Sequence, residues 1–200
     1  MRLPFFDRLD FLMTKALLAI VGVGVPVISI GWPLVSWLRE EPLRWTLDGL
    51  GVTTVPDRLV PLGGVSLRGA DTITVRIEDA GAGAWMATLL PGLLLSVAVG
   101  LVAWLLLRVV QRIERGEPFV SASAVALRLV GATILLGSLA VSLGLGAADV
   151  VITGRALEGA DPDFGFEVNF IAFVAALLML ALAEAFAQGA RLQKDVEGLV

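Results

Sequence analysis

Hydrophobic and polar positions fall along this chain in long blocks, not in short amphipathic periods. Ala16 to Leu38, Gly81 to Leu107 and Leu129 to Ala148 carry no charge, and in Val168 to Gln188 the only charge is Glu184. About 20 apolar residues are enough to cross the hydrocarbon core of a bilayer. The pattern therefore predicts four transmembrane helices, over about 16–38, 81–107, 129–148 and 168–188. Pro26 and Pro33 predict a kink in the first, and Trp32 and Trp37 suit the aromatic belt at a membrane interface. Before it, Arg2, Arg8 and Lys15 interleave with Phe5, Phe6, Leu9, Phe11 and Leu12, the spacing of an amphipathic helix lying among headgroups. A cleaved signal peptide would have an apolar core of about 7–15 residues and a small-residue cleavage site. This run is longer and ends in Trp37-Leu38-Arg39, so it reads as an uncleaved span.

Arg39 to Ala80 is the long polar segment. Within Asp71 to Asp79, Ile73, Val75 and Ile77 alternate with Thr72, Thr74, Arg76 and Glu78, which predicts a half-buried strand. Arg44 to Leu47 and Val65 to Arg68 are its expected partners, with Gly63, Gly64 and Gly69 at turns. So small a sheet needs to pack on the membrane-embedded part to be stable. The fold class expected is an all-α membrane protein of four transmembrane helices, with a small extracytoplasmic β-rich insertion at 39–80 between helices 1 and 2 and a basic turn at 108–128. Val150 to Glu167 reads as an acidic loop and Arg191 to Val200 as a polar tail.

Charge gives the expected orientation. Arg108, Arg112, Arg115 and Arg128 lie between the second and third spans, Arg2, Arg8 and Lys15 precede the first, and Arg191 and Lys194 follow the last. An even number of spans puts these on one side, and the positive-inside rule makes that side cytoplasmic. Arg39 and Arg44 beside the first span argue the other way. The expectation is a multi-pass protein of the inner (plasma) membrane with both termini in the cytoplasm, and the preference for Arg over Lys suggests a bacterial source.

Composition narrows the chemistry. Hydrophobic residues make up 57% of the chain, against about 45–50% in soluble domains. The net charge of −4 offers no basic field for direct nucleic-acid binding. Without Cys or His there is no thiolate, no disulfide and no imidazole base or metal ligand. No paired carboxylates lie at membrane depth, so no acid–base constellation assembles, and the expectation is a protein that is not an enzyme, with no cofactor and no metal.

Arg115-Gly116-Glu117-Pro118-Phe119 followed by Leu127-Arg128-Leu129-Val130-Gly131 resembles the "G-x-P-F … L-R-x-I-G" signature of a bacterial membrane family, domain of unknown function 2975. Glu184, Phe186, Gly189, Leu192, Gln193, Asp195 and Glu197 are similar to the family's closing acid–aromatic–Gly–"L-Q/R-x-D/E" pattern. The resemblance covers the whole chain and implies four spans with the larger loop between the first two. It also implies a membrane-linked sensing or regulatory role beside a small helix-turn-helix regulator in the cytoplasm.

Each candidate residue has a plain structural reading as well. Arg108, Arg112 and Arg115 fall at i, i+4 and i+7 on one helix face; stopping translocation and pairing with lipid phosphates accounts for them, and a docking surface for a partner is the functional alternative. Gly116 is expected to end the helix, Pro118 to set the turn, Phe119 to sit at the interface, and Ser121 or Ser123 to cap the third span. Glu184, with Gln188 one turn on, is the ionisable group deepest in a span; a salt bridge to Arg108 or Arg128 is its expected role, and a conformational or proton-coupled role is the functional alternative. Asp161, Asp163 and Glu167 lack the remaining ligands of a calcium loop and read as a solvated acidic segment. Small pairs such as Ser96 and Gly100, Ala140 and Gly144, and Ala172 and Ala176 suit close helix packing, within one chain or in a homo-oligomer. By elimination the reading is a sensing or regulatory interaction protein with a cytoplasmic partner. A small-molecule or ion transporter acting as an oligomer is the alternative.

Overall fold

The computed structural model describes residues 8–48, 72–156 and 166–197. The first span is one rod built of α1 (Arg8–Pro26), a π-helical turn (Val27–Gly31) and α2 (Trp32–Leu38). Strands β1 (Leu43–Asp48) and β2 (Thr72–Ile77) follow, then α3 (Ala82–Glu114), α4 (Ser121–Ala156) and α5 (Phe170–Glu197). Four helices are long and apolar enough to cross a membrane: Leu9–Leu38, Ala82–Glu114, Ser121–Arg155 and Phe170–Asp195. The protein is an all-α membrane protein of four spans with a two-stranded sheet between the first two. Large apolar side chains remain bare, Ile28 at 72% and Ile171 at 81% exposure, as lipid-facing positions require.

Every helix is longer than the apolar run that marks it. Arg8 to Lys15 forms the first turns of the span itself and not a separate surface helix. Arg108 and Arg112 belong to α3, Arg128 to α4, and Arg191 and Lys194 to α5, so the basic turn shrinks to Arg115–Val120. Val150 to Ala156 is helical, where a loop was expected. The reason is common to all: charge marks the depth at which hydrocarbon ends, while Arg, Lys, Gln and Glu are good helix formers that let the backbone run on. The expected strand Val65 to Arg68 lies outside the described residues.

Pro33 explains the π turn. It has no N–H to give the carbonyl of Ser29 four residues earlier, and its ring crowds that carbonyl. Widening the helix over Val27–Gly31 relieves the clash. Ser29 then meets α3. Its hydroxyl donates to Val25 O at 2.7 Å and lies 2.9 Å from the Ser96 hydroxyl, which donates to Gly92 O at 2.7 Å. Gly92 is required at this crossing because a Cβ there would overlap the Ser29 carbonyl oxygen.

The first and second spans end in the same device. Glu41 N–H donates to Ser36 O (3.0 Å) and Glu40 N–H to Trp37 O (3.1 Å); Glu117 N–H donates to Arg112 O (3.1 Å) and Gly116 N–H to Ile113 O (3.0 Å). These are the paired bonds of a Schellman ending, which needs a left-handed residue just past the helix. Gly116 takes φ +82 without a Cβ penalty, whereas Glu40 takes φ 55 with one.

The spans stand in a row, α1 against α3, α3 against α4 and α4 against α5, with no extensive packing of α1 on α5. Two buried clusters hold the row. Leu105, Val109, Ala126, Leu127, Val130 and Ala183 fill the end that carries the arginines. Leu43, Ala84, Trp85 and Ile152 fill the other, where the sheet docks. The antiparallel register pairs Leu43 with Ile77 and Trp45 with Val75, placing the apolar face of the ribbon on α3 and α4. Trp37 stacks on Trp85 with ring centroids 6.3 Å apart.

The two left-handed positions give a matched test. Glu40→Gly should stabilise the protein by about 1 kcal/mol and Gly116→Ala should destabilise it by a similar amount. Thermal unfolding of the two variants in one detergent should move in opposite directions.

Candidate functional site

The arginine-bearing end is held by three cross-helix contacts. Lys15 of α1 pairs with Glu114 of α3. Arg128 of α4 donates from Nη2 to Glu184 Oε2 of α5 at 3.0 Å, so Arg128 and not Arg108 is the partner of Glu184. The ring of Phe119 lies 5.5 Å from that of Phe186 and packs on the backbone of α5 at Gly189, which makes the turn after Pro118 part of the α4–α5 contact. Ser121 opens α4; Ser123 does not cap it, because its hydroxyl is buried without a partner.

Arg108, Arg112 and Arg115 have no ion pair with a carboxylate among the described residues. Arg108 lies over the ring of Trp104, one turn back, with its guanidinium carbon 3.8 Å from the centroid. Arg112 is half-buried, and its Nη1 has no hydrogen-bond acceptor among the described residues. Arg115 is exposed at the end of α3, and Gln188 is exposed on α5. The structure thus divides the sequence candidates. Arg128, Glu184, Phe119 and the Pro118 turn form a packing unit, while Arg108, Arg112 and Arg115 are a separate run of positive charge on α3.

At the opposite end, the sheet is tied to α4 through Trp45, whose indole Nε1 donates to Asp149 Oδ1 at 2.7 Å. A hydrogen bond to a charged group contributes about 1.5–3 kcal/mol, whereas a half-exposed ion pair such as Arg128–Glu184 contributes about 0–1 kcal/mol. The Trp45–Asp149 bond is therefore the stronger of the two ties. Asn169 caps α5 by accepting from the backbone N–H of Ala172 at 3.0 Å, and the Ser142 hydroxyl donates to Glu167 O at 2.7 Å, bringing the start of α5 onto α4.

Between these ends lies a cavity of about 750 Å³, within the range of about 300–1,000 Å³ usual for small-molecule sites. Leu18 and Val21 of α1 line it, and so does Ala172 of α5, so the row of spans curves round it. Val99, Val102, Leu106 and Ile134 form apolar wall, while Trp45, Asp149, Glu167 and Asn169 lie at the sheet end. None of its described lining residues is Lys or Arg. Val102, Leu106 and Ile134 also pack on the buried cluster behind the arginines, so wall and cluster share side chains.

Sequence reasoning did not find this cavity. Trp45 and Asp149 are 104 residues apart, and Asp149 read as the end of a span. Asn169 carried a legible signal, a capping residue directly before an apolar run. Asp161 and Asp163 lie outside the described residues, and among those described no group of carboxylates is placed to hold a metal ion.

The chain belongs to the family described as protein of unknown function (DUF2975), whose model matches residues 40–199. That match takes in the Gly116-to-Gly131 signature, the Glu184-to-Glu197 closing pattern, the sheet and most of the cavity wall. Neither the curated proteins nor the solved structures contain a match to it.

The Arg128–Glu184 pair should behave as an orienting contact and not as a mainstay of stability. Double-mutant analysis with Arg128→Ala and Glu184→Ala is expected to give a coupling of about 1 kcal/mol or less, because both side chains are half-exposed. Trp45→Phe, which removes only the indole donor, should cost more, about 1.5–3 kcal/mol by thermal or denaturant unfolding in detergent.

Proposed function

We propose that this DUF2975 protein is a membrane sensor or regulatory interaction protein, which takes a small molecule in the cavity between its spans and meets a cytoplasmic partner at its arginine-bearing end. The observation that carries this reading is the shared wall: Val102, Leu106 and Ile134 line the cavity and pack against the cluster that positions α3 and α4 at the arginines. Packed interiors are dense and respond to added volume by shifting as units. An occupant that pressed on Leu106 and Ile134 would therefore move Arg108 and Arg112, which lie just beyond on α3, relative to Arg128 on α4. Coupling of this kind needs only that the ligand favour one of two arrangements.

The run Arg108, Arg112 and Arg115, without ion pairs among the described residues, supports a contact with an acidic surface on the partner. The orientation belongs to the same reading: the termini and the Arg115–Val120 turn face the cytoplasm and the sheet faces outward. An oligomeric transporter is the second reading, favoured by the π turn that interrupts the first span beside Ser96, since broken helices recur at transport pathways.

Because the chain has no Cys, single cysteines report the orientation directly. A cysteine at Glu78 should react with a membrane-impermeant maleimide in intact cells, and cysteines at Glu117 or Lys194 only after the cells are opened. A photo-crosslinking residue at Glu117 should trap a cytoplasmic protein in native membranes, and Arg112→Glu with Arg115→Glu should abolish that adduct. An unchanged adduct in the charge-reversed protein would count against docking at this surface. Solute flux through proteoliposomes that is lost in Glu184→Gln would favour the transporter.

A further inference from the structure

At the arginine-bearing end a second recess, of about 440 Å³, lies between the start of α4 and the end of α5. Small side chains make room for it: Ala124 of α4 and Ala187 and Ala190 of α5 line it, together with the ring of Phe119. Three cations line it as well, Arg128 of α4 and Arg191 and Lys194 of α5, and no Asp or Glu does among the described residues. Arg128 gives one N–H of Nη2 to Glu184, which balances one of the three charges. A guanidinium has five N–H donors, so that bond does not exhaust it. Arg191 and Lys194 are exposed and have no ion pair among the described residues. Glu117 and Asp195, close in sequence to lining residues, are exposed and form no part of the lining. The recess therefore keeps a surplus of positive charge after Glu184 is counted.

The depth of the recess says which kind of anion fits. Its lining residues on α4 and α5 all fall within helices long and apolar enough to cross a membrane. Ser121, Val125 and Leu129 recur every fourth residue along one face of α4. Val125 and Leu129 are half exposed, so a bare apolar strip runs from the recess toward the middle of the span. An acidic protein surface or a soluble anion would meet the cations and leave this strip uncovered. A phospholipid meets both, with its phosphate among Arg128, Arg191 and Lys194 and an acyl chain along Val125 and Leu129. The ammonium of a zwitterionic headgroup would bring one more cation to three already there, which disfavours it. We propose that the recess binds the headgroup phosphate of an anionic phospholipid, in the leaflet at the arginine-bearing end. The site shares no lining residue with the large cavity and does not include Arg108, Arg112 or Arg115.

The test is native mass spectrometry of the full chain in a neutral detergent, titrated with phosphatidylglycerol or with phosphatidylcholine of the same acyl chains. The first phosphatidylglycerol should saturate at one per chain and bind at least about tenfold more tightly than the first phosphatidylcholine. Arg191→Gln with Lys194→Gln should remove most of that preference, and both side chains are exposed, so the fold should tolerate the change. Ala190→Leu, which keeps every charge but fills the recess, should remove it as well. Arg108→Gln with Arg115→Gln takes the same charge from outside the recess and should leave the first adduct in place. Equal binding of the two lipids overturns the proposal, as does a first adduct that survives Arg191→Gln with Lys194→Gln. So does an equal loss in the Arg108 and Arg115 variant, which would mean diffuse charge and no site. Deacylated glycerophosphoglycerol that binds as tightly as the lipid would make the ligand a soluble anion and overturn it too.

Discussion

In hydrocarbon a backbone carbonyl without a donor has no water to turn to, and the architecture of this protein follows from how that constraint is met. The sharpest case is Ser29. Pro33 withdraws the N–H that would have reached its carbonyl, and the first span answers with a π turn, a Ser29–Ser96 contact and a glycine on the facing helix. That crossing sets how closely the first span lies on α3. The helix ends meet the same demand with Schellman bonds at Glu40 and Gly116, one paying a steric penalty that the other avoids.

With the first span fixed on α3, the rest of the row has two different ends. The sheet end is held by an indole-to-carboxylate bond and by tryptophans packed on aliphatic side chains, a combination that is strong because it is partly dry. The arginine end is held by the buried cluster around Leu127 and Val130, by ion pairs that are half in solvent and by the Phe119–Phe186 contact. The proposed function places a ligand toward the sheet end and the partner contact at the arginine end.

The curvature of the row is the feature on which the proposed function rests. Had α1 closed on α5, the same side chains would have formed a solid four-helix core. Left apart, they enclose about 750 Å³ with aliphatic walls and an acidic rim. Val102, Leu106 and Ile134 belong both to the cavity wall and to the cluster behind the arginines, the arrangement from which the proposed coupling is argued.

The number of spans, the ribbon between the first two and the family signature were legible in the sequence, because each rests on local pattern. Twenty apolar residues are a span wherever they lie, alternation over Thr72 to Ile77 is a strand face, and Gly-x-Pro-Phe is a turn. The end of α3 at Gly116 was legible too, whereas helix ends were misjudged at Lys15 and Asp149 because charge reports the edge of hydrocarbon while propensity lets the helix continue beyond it. Glu184 announced a need for a cation, but two arginines met that need equally well on paper. Only the lateral placement of α4 against α5 selected Arg128. The Trp45–Asp149 bond and the cavity left no trace in the sequence, since both depend on which spans touch and which do not. In lipid, apolar pattern says that a helix is buried in the membrane; it carries no record of which neighbour it faces, and that choice was made by close-packed small residues and a few polar contacts in the assembled row.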